Sequence, residues 1–193
     1  MPSPIVETDR APAIPGGRYT AQENADGTWN VFDVAIMGEM PKDTRGNSFD
    51  VGRDWQEKAV AYHEMKYRED SYLPPLHVHH HSLFSDKTRG AGKFLLRRVA
   101  QKRYEGREMS TLFADLLQIP ADVFDAIERG ELPYRSIEIA DWDKPEITSL
   151  ALLDDDAPFF KFELLTIGLK LDAKDSAAPA PAKFGAAEAP HVG

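Results

Sequence analysis

Short runs rich in β-branched and aromatic residues, separated by polar turns, make up most of the chain. Such runs predict strands, and the turn sequence NADG at 24–27 predicts that the first two strands form a hairpin. A Pro-Pro pair at 74–75 disfavours helix and indicates an extended segment around it. The predicted strands and extended segments cover 18–22, 28–37, 73–81, 91–99, 109–115, 134–140, 147–153 and 159–166.

Two segments instead show the spacing of an amphipathic helix. In 53–67, Trp55, Ala59 and Tyr62 fall on one face. In 120–129, Pro120 occupies a favoured first-turn position and Gly130 follows the last turn. We therefore predict two helices in a chain that otherwise forms strands.

These elements predict one mixed α/β (α+β) domain over 17–171, with a barrel-like sheet of mostly antiparallel strands and packed helices. Residues 1–16 and 172–193 are rich in Pro and Ala and have little to bury, so a disordered arm and a flexible tail are expected. The large apolar residues expected in the core are Trp55, Phe94, Phe113, Phe124, Leu152 and Phe159.

Composition excludes several classes of protein. The 193 residues include no cysteine, so disulfides, thiolate zinc sites and cysteine nucleophiles are ruled out. A formal charge of −9 disfavours nucleic acid, and the basic stretch 93–107 is better explained as a solvated strand face. No apolar run is long enough for a membrane span, and no secretory signal opens the chain, so we expect a cytoplasmic protein.

Four of the six histidines lie within five positions, at His77, His79, His80 and His81. In an extended segment, alternation would place His80 on one face and the other three on the opposite face. Imidazoles so arranged can bind a metal, act as a catalytic base, or simply occupy a polar strand end. The start of this segment is similar to a cupin motif, but the later Glu and His of that motif are missing, so neither metal nor cofactor is expected.

Four motifs occur along the chain in this order: YLPPLHVHHHS, AGKFLLRRV, LFADLLQIPADVFDAIERGELPYRSIEI and ITSLALLDDDAPFFKFELLTIG. Their succession resembles the phage head maturation proteases of the Mu-like prophage type, over about residues 30–168. The resemblance implies a fold related to herpesvirus assemblin, which is a small β-barrel ringed by helices. It also implies a serine endopeptidase with a histidine base and a variable third member.

The family motifs assign roles by position. Ser136 stands in the Ser-x-Glu-Ile strand as the nucleophile, and His80 follows Pro-Pro-Leu by four residues as the base. Asp156, at an acidic position just before a proline, is the expected third member. His79 replaces the usual glycine and Asp154 replaces another, so alternates remain open. These alternates are His79, His81, Asp154, Asp155 and Glu138, of which Glu138 shares a strand face with Ser136.

In such a site, the imidazole accepts the serine proton and a carboxylate fixes its tautomer. The substrates implied are scaffold and capsid proteins inside an assembling procapsid in the host cytoplasm, with self-cleavage of the tail near 183–188 and a homo-oligomer as further expectations. Arg135 and Lys161 are expected to cover the surface. Two alternatives stay open: a catalytically silent capsid-assembly protein of the same fold, and a His-cluster metal-binding protein.

Overall fold

The computed structural model describes residues 17–40, 50–79, 89–155, 158 and 160–173. Within these ranges the chain forms two helices and eight strands, which confirms the predicted mixed α+β class. The helices are α1 (Arg53–Asp70) and α2 (Ala121–Glu128). The strands are β1 (Tyr19–Glu23), β2 (Trp29–Gly38), β3 (Pro75–Val78), β4 (Arg89–Tyr104), β5 (Arg107–Ile119), β6 (Tyr134–Glu138), β7 (Ser149–Leu153) and β8 (Ile167–Leu171).

All eight strands belong to one sheet, in the order β6-β7-β3-β4-β5-β2-β1-β8. Neighbouring strands are antiparallel except for β1 with β8 and β3 with β7, which are parallel. The edge strands β6 and β8 do not pair with each other, so the sheet is not closed into a barrel. The predicted small barrel therefore stays a prediction.

The hairpin predicted across 24–27 is confirmed, and β4 and β5 form a second hairpin. In the first, Gly27 has φ +80 and the Asn24 N–H donates to the Thr28 carbonyl at 2.8 Å. The second, β4–β5, is much longer than predicted, because its charged residues lie on exposed positions that leave the ladder intact. Its turn consists of Glu105 and Gly106 with φ of +47 and +83, the left-handed pair that matches the twist of a tight hairpin.

The predicted strand at 159–166 is wrong, and the strand is β8 at Ile167–Leu171. Phe160 and Phe162 instead pack on a small apolar cluster around Ala35 and Phe113, so side-chain burial rather than a backbone ladder holds this segment. Pairing with β1 begins only at Thr166, whose carbonyl accepts the N–H groups of Arg18 and Tyr19.

The buried face of α1 is also displaced from the prediction. Gln56, Ala59 and His63 are buried, whereas Trp55 and Tyr62 lie on the partly exposed flank. The two polar residues are accommodated by the sheet: the Ser110 hydroxyl donates to Gln56 at 2.8 Å, and His63 Nε2 accepts the Ile147 N–H at 3.1 Å. Counting apolar residues cannot reveal a helix face built on satisfied polar groups.

The second helix and most of the predicted core are confirmed. Pro120 precedes α2 as its N-cap, and Gly130 beyond its end has φ +74. Phe94, Phe113, Phe124 and Leu152 are buried as expected, and Trp55 is partly buried. Phe159 lies outside the described residues. Within the described ranges, neither helix combines the length and apolar character needed to cross a membrane.

The buried His63 should make stability depend on pH. Burial lowers the pKa of His63 from 6.5 to about 4. Between these values the unfolded chain binds a proton that the folded protein refuses, so the free energy of unfolding should fall by about 3 kcal/mol as pH drops from 6.5 to 4. Urea denaturation across this window tests the prediction. His63→Gln keeps an acceptor for Ile147 but cannot titrate, so an unchanged pH slope in this variant would contradict it.

Candidate functional site

Ser136 lies in the middle of the edge strand β6 and is partly exposed. It pairs with Ala151 of β7, and Ala151 is in register with His77 of β3. Residues paired across strands project to the same face of a sheet. Ser136, Ala151 and His77 therefore form one row across three strands.

This row faces away from the main core. The neighbouring row consists of Ile137, Leu150 and Leu76, which belong to or pack against the core cluster. Because side chains alternate along each strand, Ser136 and His77 share the opposite face. Two strand spacings separate their Cα atoms by about 10 Å. Ala151 lies between them in the row and is only 1% exposed.

The histidine segment leaves the sheet immediately after Val78. Strand β3 ends at Val78, and His79 adopts a left-handed backbone with φ +63 while its N–H donates to the Leu152 carbonyl at 2.8 Å. The expected alternation therefore stops at Val78, and the prediction that His77 and His79 share a strand face is wrong. His80 and His81 lie outside the described residues.

The structure brings two of the alternate site residues together. His79 Nδ1 lies 3.7 Å from Asp154 Oδ1, where the parallel strands β3 and β7 both end. The Asp155 N–H donates to Asp154 at 2.8 Å. This hydrogen bond, together with the nearby His79 imidazole, holds the pKa of Asp154 below its usual value. Asp156 lies outside the described residues.

Glu138 is engaged on the strand beside Ser136. Its carboxylate accepts a hydrogen bond from the Ser149 hydroxyl of β7, and its carbonyl accepts the hydroxyl and N–H of Thr148, both at 2.9 Å. It lies two residues from Ser136 on the same strand face, as predicted. These contacts hold the end of β6 against β7.

Arg135 lies in the interior of the protein, contrary to the prediction from the sequence. It was expected on the surface, but it is only 3% exposed. Its guanidinium donates to the Ala35 carbonyl at 2.8 Å, to the Tyr19 hydroxyl at 3.0 Å and to the Glu163 carbonyl. Burial lowers the pKa of Arg135 and raises that of Tyr19 to about 12.

Arg135 thereby ties the edge strand β6 to β1 and β2 across the open side of the sheet. Nearby, the Leu165 N–H donates to the Pro133 carbonyl at 2.9 Å. The sequence did contain a signal for this burial, because Arg135 shares a strand face with Ile137. The strand that carries Ser136 is thus anchored on both sides.

Within the described ranges, no three or more His, Asp or Glu side chains converge in a way that could hold a metal ion. The chain matches no family model, no curated protein and no solved structure. Membership of the protease family therefore stays a prediction from the sequence motifs.

Proposed function

We propose that this chain is a serine endopeptidase that processes scaffold and capsid proteins during phage procapsid maturation. The observation that supports the proposal most strongly is the row formed by Ser136, Ala151 and His77. A serine hydroxyl becomes a competent nucleophile only when an imidazole can accept its proton. In this row, the side chains of Ser136 and His77 project from the same face of the sheet, with Ala151 between them.

In the proposed reaction, the Ser136 hydroxyl attacks the carbonyl carbon of the scissile bond while its proton moves to the imidazole. The imidazolium then returns that proton to the leaving amine, and water hydrolyses the acyl-enzyme by the same route. Backbone N–H groups stabilise the oxyanion in such reactions. The anchored strand β6 keeps the hydroxyl in a fixed position throughout.

We assign His80 as the base and Asp156 as the third member, as the motifs indicate. His77 is the alternative base supported by strand register. His79 and Asp154 form a second imidazole–carboxylate pair, and their contact of 3.7 Å makes this pair the alternative for the orienting role. Individual replacement of the three histidines separates these assignments.

We further propose that the sheet is an open relative of the small assemblin-like barrel. Closure would join the edge strands β6 and β8, which do not pair with each other. Beside this gap, the Arg135 guanidinium links β6 to β1 and β2, and the Leu165 N–H donates to the Pro133 carbonyl. An open barrel, in which contacts beside the gap replace the pairing of the two edge strands, fits both the resemblance and the strand order.

Co-expression with the cognate capsid and scaffold proteins tests the proposal. Wild-type protein should shorten one or both substrates, and intact-mass measurement should also reveal cleavage of its own tail near 183–188. Ser136→Ala should leave all of them intact, and Ser110→Ala, at a buried serine bonded to Gln56, serves as a serine control. Unprocessed substrates with the wild-type chain would favour the catalytically silent assembly protein instead.

A further inference from the structure

A cavity of about 340 Å³ opens among strands β1, β2, β4 and β5. Its aromatic walls are Tyr19, Phe32 and Phe113, and Arg18, Lys102 and Glu163 supply charge. A volume of this size suits a single side chain or a small ligand. Its position connects it to the proposed catalytic strand, because Arg135, the neighbour of Ser136, donates to both Tyr19 and Glu163.

Positive charge exceeds negative charge around this cavity. One oxygen of Glu163 accepts from Lys102 at 2.9 Å, from the Tyr19 hydroxyl at 3.2 Å and from Arg18 at 3.3 Å. Arg135 adds a third cation through the Glu163 carbonyl. Burial would raise the pKa of Glu163, but the hydrogen bond and charge of Lys102 outweigh it and hold that pKa below its usual value.

The other carboxylate of the cavity does not offset this excess. Asp33 is neutralised by a bidentate contact with Arg98, at 2.8 and 2.6 Å, and Arg98 itself stacks on Phe113. Two cations, Lys102 and Arg18, therefore contact the carboxylate of Glu163, and a third, Arg135, contacts its carbonyl, in a protein whose formal net charge is −9. Such a local excess favours an anionic group that also has an apolar stem to lie against the aromatic walls.

We propose that this cavity binds an acidic side chain of the polypeptide substrate and so selects the cleavage site. The inference rests on the proposed function and names the substrate class of that site. The Arg135 side chain leaves β6 on the face opposite Ser136, so a substrate chain that reaches both the hydroxyl and the cavity passes around the edge strand β6. The acidic residue therefore lies more than about three residues from the cleaved bond.

Titration of ¹⁵N-labelled Ser136→Ala protein with three peptides tests the proposal by NMR. The peptides are acetylated, amidated Ala-Ser decamers that carry a single central Glu, Gln or Lys. The Glu peptide should shift the amide signals of Thr20, Phe32 and Lys102 and should bind about tenfold more tightly than the Gln peptide. A decamer without Glu but with a free C-terminal carboxylate separates side-chain from chain-end recognition, and equal binding of this peptide would overturn the side-chain assignment.

Further substitutions in the Ser136→Ala protein should change its affinity for the Glu peptide in opposite directions. Lys102→Met should weaken binding of the Glu peptide about tenfold, whereas Lys102→Arg, which keeps the positive charge, should bind this peptide as tightly as the Ser136→Ala protein. Glu163→Gln removes the internal competitor and should tighten binding, a result that no folding defect produces. Lys58→Met, at an exposed ion pair on α1, is the matched control and should leave binding unchanged.

Equal binding of the Glu and Gln peptides, shifts confined to other parts of the protein, or weaker binding by Glu163→Gln would overturn the proposal. The outcomes for the two proposals are separable. Binding without any proteolysis would retain the acidic site and reject the protease. Proteolysis with no preference for acidic residues would do the reverse.

Discussion

Replacing Arg135 with methionine is expected to lower the free energy of unfolding by about 3–5 kcal/mol. The buried guanidinium satisfies the carbonyls of Ala35 and Glu163 and the hydroxyl of Tyr19. Methionine fills a similar volume but leaves these three groups buried without their donor, and each unsatisfied group costs about 1–3 kcal/mol. Urea denaturation followed by circular dichroism measures the loss.

The matched control is Arg129→Met. Arg129 is exposed and pairs with Glu131 at 2.6 Å on the surface, so its replacement should change stability by less than about 1 kcal/mol. Arg135→Lys keeps the charge but cannot reach three acceptors in a fixed plane, and should fall between the two. A loss below about 1 kcal/mol for Arg135→Met would mean that the packing beside β6 does not depend on this side chain.

The second large effect concerns the base. Replacing His80 with glutamine should lower kcat on a capsid-derived peptide by about 10³-fold or more, close to the loss in Ser136→Ala. The reason is that, under this assignment, His80 is the group that accepts the serine proton as the bond to the carbonyl carbon forms. His79→Gln should cost much less, because its ring contacts Asp154 and serves at most to orient a neighbour.

His191→Gln is the control for the loss of an imidazole, since this histidine lies far along the chain in the segment predicted to be a tail. The variant His77→Gln tests whether His77, rather than His80, is the base. A loss as large as that of Ser136→Ala, with little effect from His80→Gln, would transfer the role of base to His77 and contradict the assignment from the motifs.

The sequence predicted the fold well where periodicity and turn chemistry agree. The NADG turn and the Pro120 and Gly130 signals fixed a hairpin and a helix, because local preferences there coincide with the tertiary structure. It failed at 159–166, where Phe160 and Phe162 have strand-like character but pack in an irregular segment, Phe162 buried and Phe160 partly buried. It also misplaced the face of α1, since Gln56 and His63 are buried through hydrogen bonds that only the folded sheet supplies.

The candidate site was predictable in part. The register that aligns Ser136 with His77 depends on β7 lying between β6 and β3, and this strand order is a long-range property that no local pattern encodes. The change of backbone direction at His79 was not predictable, because a histidine with a left-handed backbone is uncommon and no sequence pattern signals it. The burial of Arg135 depends on hydrogen-bond partners in three distant segments of the chain, which are Tyr19, Ala35 and Glu163.

Covalent labelling tests most directly whether the hydroxyl of Ser136 meets an imidazole of the 77–81 segment. Wild-type protein is treated with a fluorophosphonate, which reacts with activated serines, and modified residues are mapped by peptide mass spectrometry. Expected is selective modification of Ser136 that disappears in His80→Gln. Modification of Ser136 no faster than of other serines, or unchanged after His77, His79, His80 and His81 are all replaced, would contradict the assignment.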